Sequence, residues 1–293
     1  MSYKGMRQTQ KLREMLRQDG LVYGAGAHDA MTARIIEQAG FPVCFVTGAG
    51  ISMTHGYADV GLMSVEEVVG TCRYIAEAVD IPVISDADNG YGNAINTMRT
   101  VRMFEQAGVA GIHIEDQVWP KRCGHMTGKR LIPKEEMVQK IHAALDARRD
   151  PNFVIFARCD ALMVNGLQDS LDRGDAYIEA GADVLWLEMR QDLAEIEAMA
   201  KHFKGRVPMH FNHSSSGMVP KLSLQEIEKL GFKTAGFHAH AIHAAAKTMI
   251  EVLGEIKKTG NALTVWDKIG GFEEFYNIGG LKEINALEKK YGV

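Results

Sequence analysis

Short β-rich runs alternate with amphipathic helical stretches eight times along this chain, and no other feature restricts its fold as strongly. The runs fall at 21–25, 43–47, 81–85, 110–114, 153–158, 183–187, 206–211 and 234–238. Helical stretches follow them, for example at 64–79, 93–107, 133–148 and 240–258. Four helices stop at a glycine shortly before the next strand: Gly40, Gly108, Gly181 and Gly231. That is the left-handed position where glycine alone escapes a steric penalty. Pro133 opens another helix at its first position, where the missing N–H leaves no bond unmade.

Near-continuous apolar strands separated by helices predict a parallel sheet covered on its faces. An open doubly wound sheet that binds dinucleotides wants G-x-G-x-x-G after its first strand, but Gly24 and Gly26 lead into Ala27 and Ala30. Eight units in 293 residues instead suit a (β/α)8 TIM-type barrel. We read one domain over 1–293, with an N-terminal helix over 1–20 and further helices over 240–293.

Composition narrows the function classes. A net charge of −4 gives no general pull toward nucleic acid or an anionic membrane. No unbroken apolar run approaches the ~18 residues that a membrane span needs, and the first twenty residues lack the apolar core of a leader. The four cysteines, Cys44, Cys72, Cys123 and Cys159, show no C-x-x-C spacing. Cys44 and Cys159 fall in apolar runs and Cys72 on a helical stretch, which fits a reducing, cytoplasmic compartment.

A barrel should carry its chemistry just beyond the C-terminal ends of its strands. There the sequence places Thr47, Gly48 and Ala49; Asp86 and Asp88; His113, Glu115 and Asp116; Arg158 and Asp160; Glu188; and Asn212 and His213. In "DADNGYG" (86–92) two carboxylates at i and i+2 point to one side of an extended chain. With Glu115 and Asp59 they could form an all-oxygen site for Mg²⁺ or Mn²⁺; alternatively 88–90 is only a turn and Asp86 a helix cap. Arg158 at the end of an apolar strand would match a substrate carboxylate with its planar fork, or pair structurally with Glu188 or Asp160. The turn at 47–50 offers unobstructed backbone N–H groups. His210, His213, His238, His240 and His243 raise zinc as a rival, against which stands a helix-surface or rim-lining role. No strand ends in the lysine that a Schiff-base aldolase requires.

"PKRCGHMTGKR" (120–130) sets Cys123 among cations in a stretch with neither helical nor strand periodicity. With "ADVGL" (58–62), "DADNGYG" and "EDQVWPKRCGH" (115–125), it resembles the isocitrate lyase/phosphoenolpyruvate mutase superfamily. The similarity runs from about residue 20 to 258, on the branch of the short lyases that act on 2-methylisocitrate or 2,3-dimethylmalate.

This resemblance implies a Mg²⁺-dependent carbon–carbon lyase, Mn²⁺ being a possible substitute, that cleaves a small di- or tricarboxylic 2-hydroxy acid into a 2-oxo acid and a carboxylic acid. It implies Asp86 as direct metal ligand, with Asp59, Asp88 and Glu115 holding the metal's waters. Thr47, Gly48, Ala49 and Arg158 would grip one carboxylate and Asn212 the distal one. Phe45, His113, Gly124, Glu188, Ser214 and Ser215 complete the expected pocket. Cys123 would donate a proton, and Lys121, Arg122 and His125 would stabilise its thiolate. The C-terminal helices would be exchanged within a homotetramer. Two departures stand out: Phe45 replaces a tyrosine common in the family lyases, and Ser215 replaces a glutamate. Oxaloacetate hydrolysis or decarboxylation, or phosphonomutase chemistry, is the alternative on the same barrel. A silent oxo-acid sensor is disfavoured by the joint presence of Asp86, Asp88, Glu115 and Cys123.

Overall fold

The computed structural model describes residues 5–124, 126–214 and 217–293; the expectations placed on His125 and Ser215 lie outside them. Eight strands form: β1 (Val22–Ala27), β2 (Val43–Val46), β3 (Val83–Asp86), β4 (Gly111–Glu115), β5 (Val154–Cys159), β6 (Val184–Leu187), β7 (Met209–Asn212) and β8 (Thr234–Phe237). They pair in parallel in sequence order, and β8 closes on β1. This is the (β/α)8 barrel. Two compact units emerge, Met1–His240 with the barrel and Ala241–Val293 with the last helices. Among the described residues no helix is long and apolar enough to cross a membrane.

The punctuation works as the residues require. Gly40, Gly108, Gly181 and Gly231 have φ of 85°, 85°, 95° and 101°, where any Cβ would be strained. Pro133 sits one place earlier than expected: it is the N-cap, with extended ψ of 145°, and the helix spans Lys134–Ala147. Its ring still removes only a donor that the first turn leaves unpaired.

Strand alternation divides the apolar residues into two cores. Phe45, Ile84, Phe156 and Val184 fill the lumen, joined by Leu12 of the helix Gln8–Arg17. Cys44, Val46, Ile155 and Leu185 face the other way, in the larger core that also holds helix residues such as Ile141 and Phe203. Burying Leu12 fully is worth about 1.5–3 kcal/mol, and Arg13 fastens the same helix through Nε to the Asn152 carbonyl at 3.0 Å. The same parity sets the rim. Two residues beyond Ile84, Phe156 and Val184 come Asp86, Arg158 and Trp186, so these three also point inward.

Candidate active site

A cleft of about 80 Å³ opens at the C-terminal ends of the strands. That suits a small acid; drug-sized ligands occupy pockets of about 300–1,000 Å³. Twelve residues expected from the sequence line it: Thr47, Ala49, Asp59, Asp86, His113, Lys121, Cys123, Gly124, Arg158, Glu188, Asn212 and Ser214. Val46, Trp186 and Ala239 line it without having been anticipated, and His238 was foreseen only as a zinc ligand or rim residue. Phe45 does not reach it: the ring lies in the lumen core, with centroids 5.2 Å from His210 and 4.7 Å from His238.

Thr47 begins a helix rather than a simple glycine turn. Its Oγ1 accepts from Gly50 N at 3.2 Å as the N-cap of Gly48–Thr54. The first N–H groups of a helix have no partner within it. Gly48 is needed for closeness, because a Cβ there would stand 2.5 Å from Asp86 Oδ2.

The acidic group is bound together by one buried lysine. Lys121 Nζ lies 2.5 Å from Asp59 and 2.9 Å from Asp88. Its charge, expected beside the Cys123 thiol, is neutralised by these two carboxylates. The expectation that Asp86 and Asp88 share a face by strand alternation fails, because the chain is not extended at Asp88. Asp88 has φ of 46°, in a turn closed by Gly90 N to the Ala87 carbonyl at 2.9 Å, and its own N–H donates to Asp86 Oδ1 at 2.9 Å. The left-handed residue swings the second carboxylate onto Lys121. The cap of the next helix is Asn93, not Asp86.

Environment separates the carboxylates. Burial pushes Asp86 up, but His113, Lys121 and Arg158 outweigh it and hold it at about 2. Because burial keeps His113 itself neutral, at about 4, the cations that matter near pH 7 are Lys121 and Arg158. Burial dominates at Asp88, raised to about 6 against the pull of Lys121. It also lifts Glu115 well above the ordinary range despite Arg158.

Arg158 is already paired. Its Nε and Nη2 donate to Asp160 at 3.0 and 3.2 Å, Nη1 stands 3.4 Å from Glu115, and Nη2 stands 3.6 Å from Glu188. Its guanidinium also lies 5.0 Å from the Trp186 ring centroid. The structural pairing and the cleft-lining position therefore coexist. Asp116, grouped with the rim in the sequence, faces the helix Leu167–Glu179 instead. It accepts from Tyr177 at 2.7 Å and Arg173 at 3.1 Å, and its other oxygen takes the Asp160 N–H at 2.9 Å. It thereby fixes the backbone that holds the Arg158 partner.

A hard divalent cation fits these residues. Six carboxylates (Asp59, Asp86, Asp88, Glu115, Asp160, Glu188) face three cations, Lys121, Lys129 and Arg158. Glu115 Oε1 is buried without a hydrogen-bond partner, an arrangement normally costing about 1–3 kcal/mol. Among the described residues no three Asp, Glu, His or Cys side chains converge as direct ligands. A cation held by one carboxylate, with waters reaching the others, satisfies both observations.

The cysteine loop is fastened over this group. Cys123 N donates to the Asp59 carbonyl at 3.1 Å, and Gln117 clamps the Arg122 backbone through 2.9 and 3.0 Å bonds. Lys129, which the sequence reading passed over within the basic run, joins Gly124 O at 2.6 Å to Asp160 at 2.7 Å. Gly124 is required by proximity: a Cβ there would stand 2.3 Å from Arg158 Nη2. Cys123 is half-buried and free; Cys44, Cys72 and Cys159 are buried and free.

Below the cleft lies a ring cluster that sequence reasoning did not assemble. Trp186 has centroids 4.5 Å from His113, 4.2 Å from His210 and 4.9 Å from His238, and its Nε1 donates to Glu188 at 3.0 Å. Asn212 Nδ2 donates to the same Glu188 at 3.0 Å. The available signal was inward parity: His210 precedes Asn212 by two, and Trp186 precedes Glu188 by two. Burial lowers all three histidines, His113 to about 4, His238 to about 3 and His210 well below 6.5. A histidine with a depressed folded pKa stabilises fully above its unfolded value of about 6.5, and that stability is lost as pH falls toward the folded value. Each such group contributes a slope of about 1.4 kcal/mol per pH unit within its window. Asp88, at about 6, acts with opposite sign over part of that range. The clean readout is therefore a difference: His210→Leu should flatten the unfolding free energy against pH by about 1.4 kcal/mol per unit between pH 6 and 5. Equal slopes in the two proteins would contradict the burial argument.

A sequence profile described as phosphoenolpyruvate phosphomutase matches residues 12–257. The chain belongs to that family. The 2,3-dimethylmalate lyase of Eubacterium barkeri is 42% identical over 282 residues, covering 96% of this chain and 97% of that one. The 2-methylisocitrate lyase of Aeropyrum pernix is 38% identical, covering 91% and 85%. Among solved structures, a 2,3-dimethylmalate lyase superposes with a TM-score of 0.92 at 32% identity, covering 98% of this chain and 96% of that one. An oxaloacetate acetylhydrolase bound to 3,3-difluorooxalacetate gives 0.92 at 29%, covering 97% of each. A phosphonopyruvate hydrolase with oxalate and Mg²⁺ gives 0.90 at 32%, covering 98% and 100%.

Proposed function

We propose that this family member is a Mg²⁺-dependent carbon–carbon lyase. It cleaves a 2-hydroxy, alkyl-substituted dicarboxylate of the 2,3-dimethylmalate or 2-methylisocitrate type into a 2-oxo acid, such as pyruvate, and a carboxylic acid. The observation that carries this reading is the opening of Cys123, Asp86 and Arg158 into one small cleft, in a chain 42% identical to a protein named as such a lyase. Mg²⁺, which the phosphonopyruvate hydrolase structure holds together with oxalate, would be bound by Asp86 directly and by Asp59, Asp88 and Glu115 through water. When bound, it supplies electrophilic stabilisation for the negative charge that develops on the substrate oxygen.

The chain's own groups do the rest. Arg158 and the N–H groups of residues 47–49 hold the 2-hydroxy acid's carboxylate, their charge and dipoles already in place before reaction. Asn212, Ser214 and Ser215 orient the distal carboxylate. The C2–C3 bond breaks with its electron pair moving to C3, which takes the proton of the Cys123 thiol. The closed loop keeps water from competing for that carbanion equivalent. The same reading makes the protein a cytoplasmic homotetramer with exchanged C-terminal helices. Support comes from the second unit, where Ile250, Leu253, Trp266 and Phe272 are exposed and the helix His240–Thr259 buries no residue.

A screen of malate, citramalate, 2,3-dimethylmalate, 2-methylisocitrate and oxaloacetate with Mg²⁺, read by 2-oxo acid release, tests the reading. An alkylated 2-hydroxy diacid should be turned over fastest, and chelation by EDTA should abolish turnover. Hydrolysis of oxaloacetate to oxalate and acetate is the second reading, favoured by the superposition on oxaloacetate acetylhydrolase. Turnover of oxaloacetate alone would replace the first reading with the second.

A further inference from the structure

Cleavage of a 2-hydroxy acid needs a group that removes the hydroxyl proton, and the functional reading so far names only the group that delivers one. The carboxylates beside the cleft are committed to Lys121 and Arg158 or to the metal. Phe45 offers no hydroxyl. Two cleft-lining side chains with proton-accepting chemistry remain, His113 and His238. His113 Nδ1 stands 3.5 Å from Asp86, the carboxylate assigned to the metal, which leaves His238 as the one clear of the acidic group.

His238 is held in an unusual way. A Cβ on Gly236, two residues upstream, would meet its Nε2 at 2.2 Å, and a Cβ on Gly26 would meet its carbonyl oxygen at 1.8 Å. The two glycines let the ring fold back over β8 into the barrel mouth. There its Nε2 lies 3.1 Å from His210 Nε2, and His210 Nδ1 lies 2.9 Å from Thr234 Oγ1. Both histidine rings pack on Trp186, and both lie within 5.2 Å of the Phe45 ring, centroid to centroid. The chain of bonds has a direction. If His210 donates Nδ1–H to Thr234, its Nε2 is an acceptor and His238 must donate Nε2–H to it. His238 Nδ1 then carries the lone pair of the ring.

We propose that His238 is the catalytic base of this site and that His210, anchored by Thr234, is its positioning residue. The inference rests on the lyase reading above. His238 Nδ1 takes the proton of the substrate's 2-hydroxyl. The O–H electron pair becomes the second bond of the C2 carbonyl, the C2–C3 pair moves to C3, and C3 is protonated by the Cys123 thiol. The proton gained by His238 is shared across the 3.1 Å contact with His210, and solvent restores the thiol between turnovers.

The test uses the full-length enzyme with Mg²⁺ and the 2-hydroxy diacid that the wild type cleaves. His238→Asn should lower kcat by about 10²–10⁴-fold, with KM within a few-fold and oxalate inhibition unchanged, since oxalate has no hydroxyl proton to lose. His210→Gln should show a smaller loss, also in kcat. In His238→Ala, added imidazole should restore part of the rate in a concentration-dependent way; this holds the idea to account even if His238→Asn folds poorly. A kcat retained in His238→Asn would overturn the assignment. So would a parallel loss of kcat and oxalate affinity without imidazole rescue, which marks a packing role. A wild type that cleaves no 2-hydroxy diacid removes the lyase reading and this base with it. That failure is seen before any variant is made.

Discussion

Cys123→Ala will cut the rate of diacid cleavage by about 10²–10⁴-fold, the range for loss of a positioned general acid. Substrate binding should change little, because Arg158, residues 47–49 and the acidic group are untouched. Cys123 is half-buried, and its loop is held by backbone bonds to Asp59 and Gln117 and by Lys129 rather than by the thiol. The variant should therefore fold normally. Pre-steady-state and steady-state cleavage assays read the loss directly. Serine should recover little of it, since a hydroxyl is a far weaker acid than a thiol. Wild-type kcat in Cys123→Ala would remove the cysteine from the chemistry.

Lys121→Met should destabilise the protein by about 3–5 kcal/mol in the presence of EDTA, the cost of leaving buried charge uncompensated. The Lys121 ammonium is 4% exposed and lies against Asp59 and Asp88. Asp86, Asp88, Asp59 and Glu115 together raise its pKa well above the ordinary lysine value, overcoming burial. Methionine fills the space and supplies no charge. Because a divalent cation stabilises the same carboxylates, added Mg²⁺ should restore more stability to Lys121→Met than it adds to the wild type. Denaturant unfolding with and without Mg²⁺ measures both numbers. An equal Mg²⁺ increment in the two proteins would show that the lysine and the metal do not share a carboxylate group.

The fold was legible because its signals are local. Eight apolar runs, four left-handed glycines and a helix-opening proline each depend on a few neighbouring residues. The rim residues were legible once the barrel was assumed, since strand ends converge whatever their spacing in the chain. Asp86, Glu115 and Arg158 were placed that way, whereas Cys123 stood out by its basic, aperiodic loop. Pairing was legible only in part. Arg158 with Asp160 or Glu188 stood among the alternatives, but Lys121 turning to Asp59, 62 positions away, depends on a loop path that no periodicity encodes. Asp88 reached its place through a positive φ, although the sequence reading placed it there by extended alternation. The ring cluster of Trp186, His210 and His238 was hidden for another reason. Each residue alone reads as core or rim, and only the closed barrel brings β6, β7 and β8 together under the cleft.

The central claim is a cleavage that leaves a 2-oxo acid and protonates C3. Its most direct test is NMR analysis of the products formed from an alkylated 2-hydroxy diacid in D₂O with Mg²⁺. The account predicts equimolar 2-oxo acid and carboxylic acid, the latter carrying a single deuterium at its α-carbon. Oxalate and acetate formed from oxaloacetate, with no 2-oxo acid released from any 2-hydroxy diacid, would contradict it.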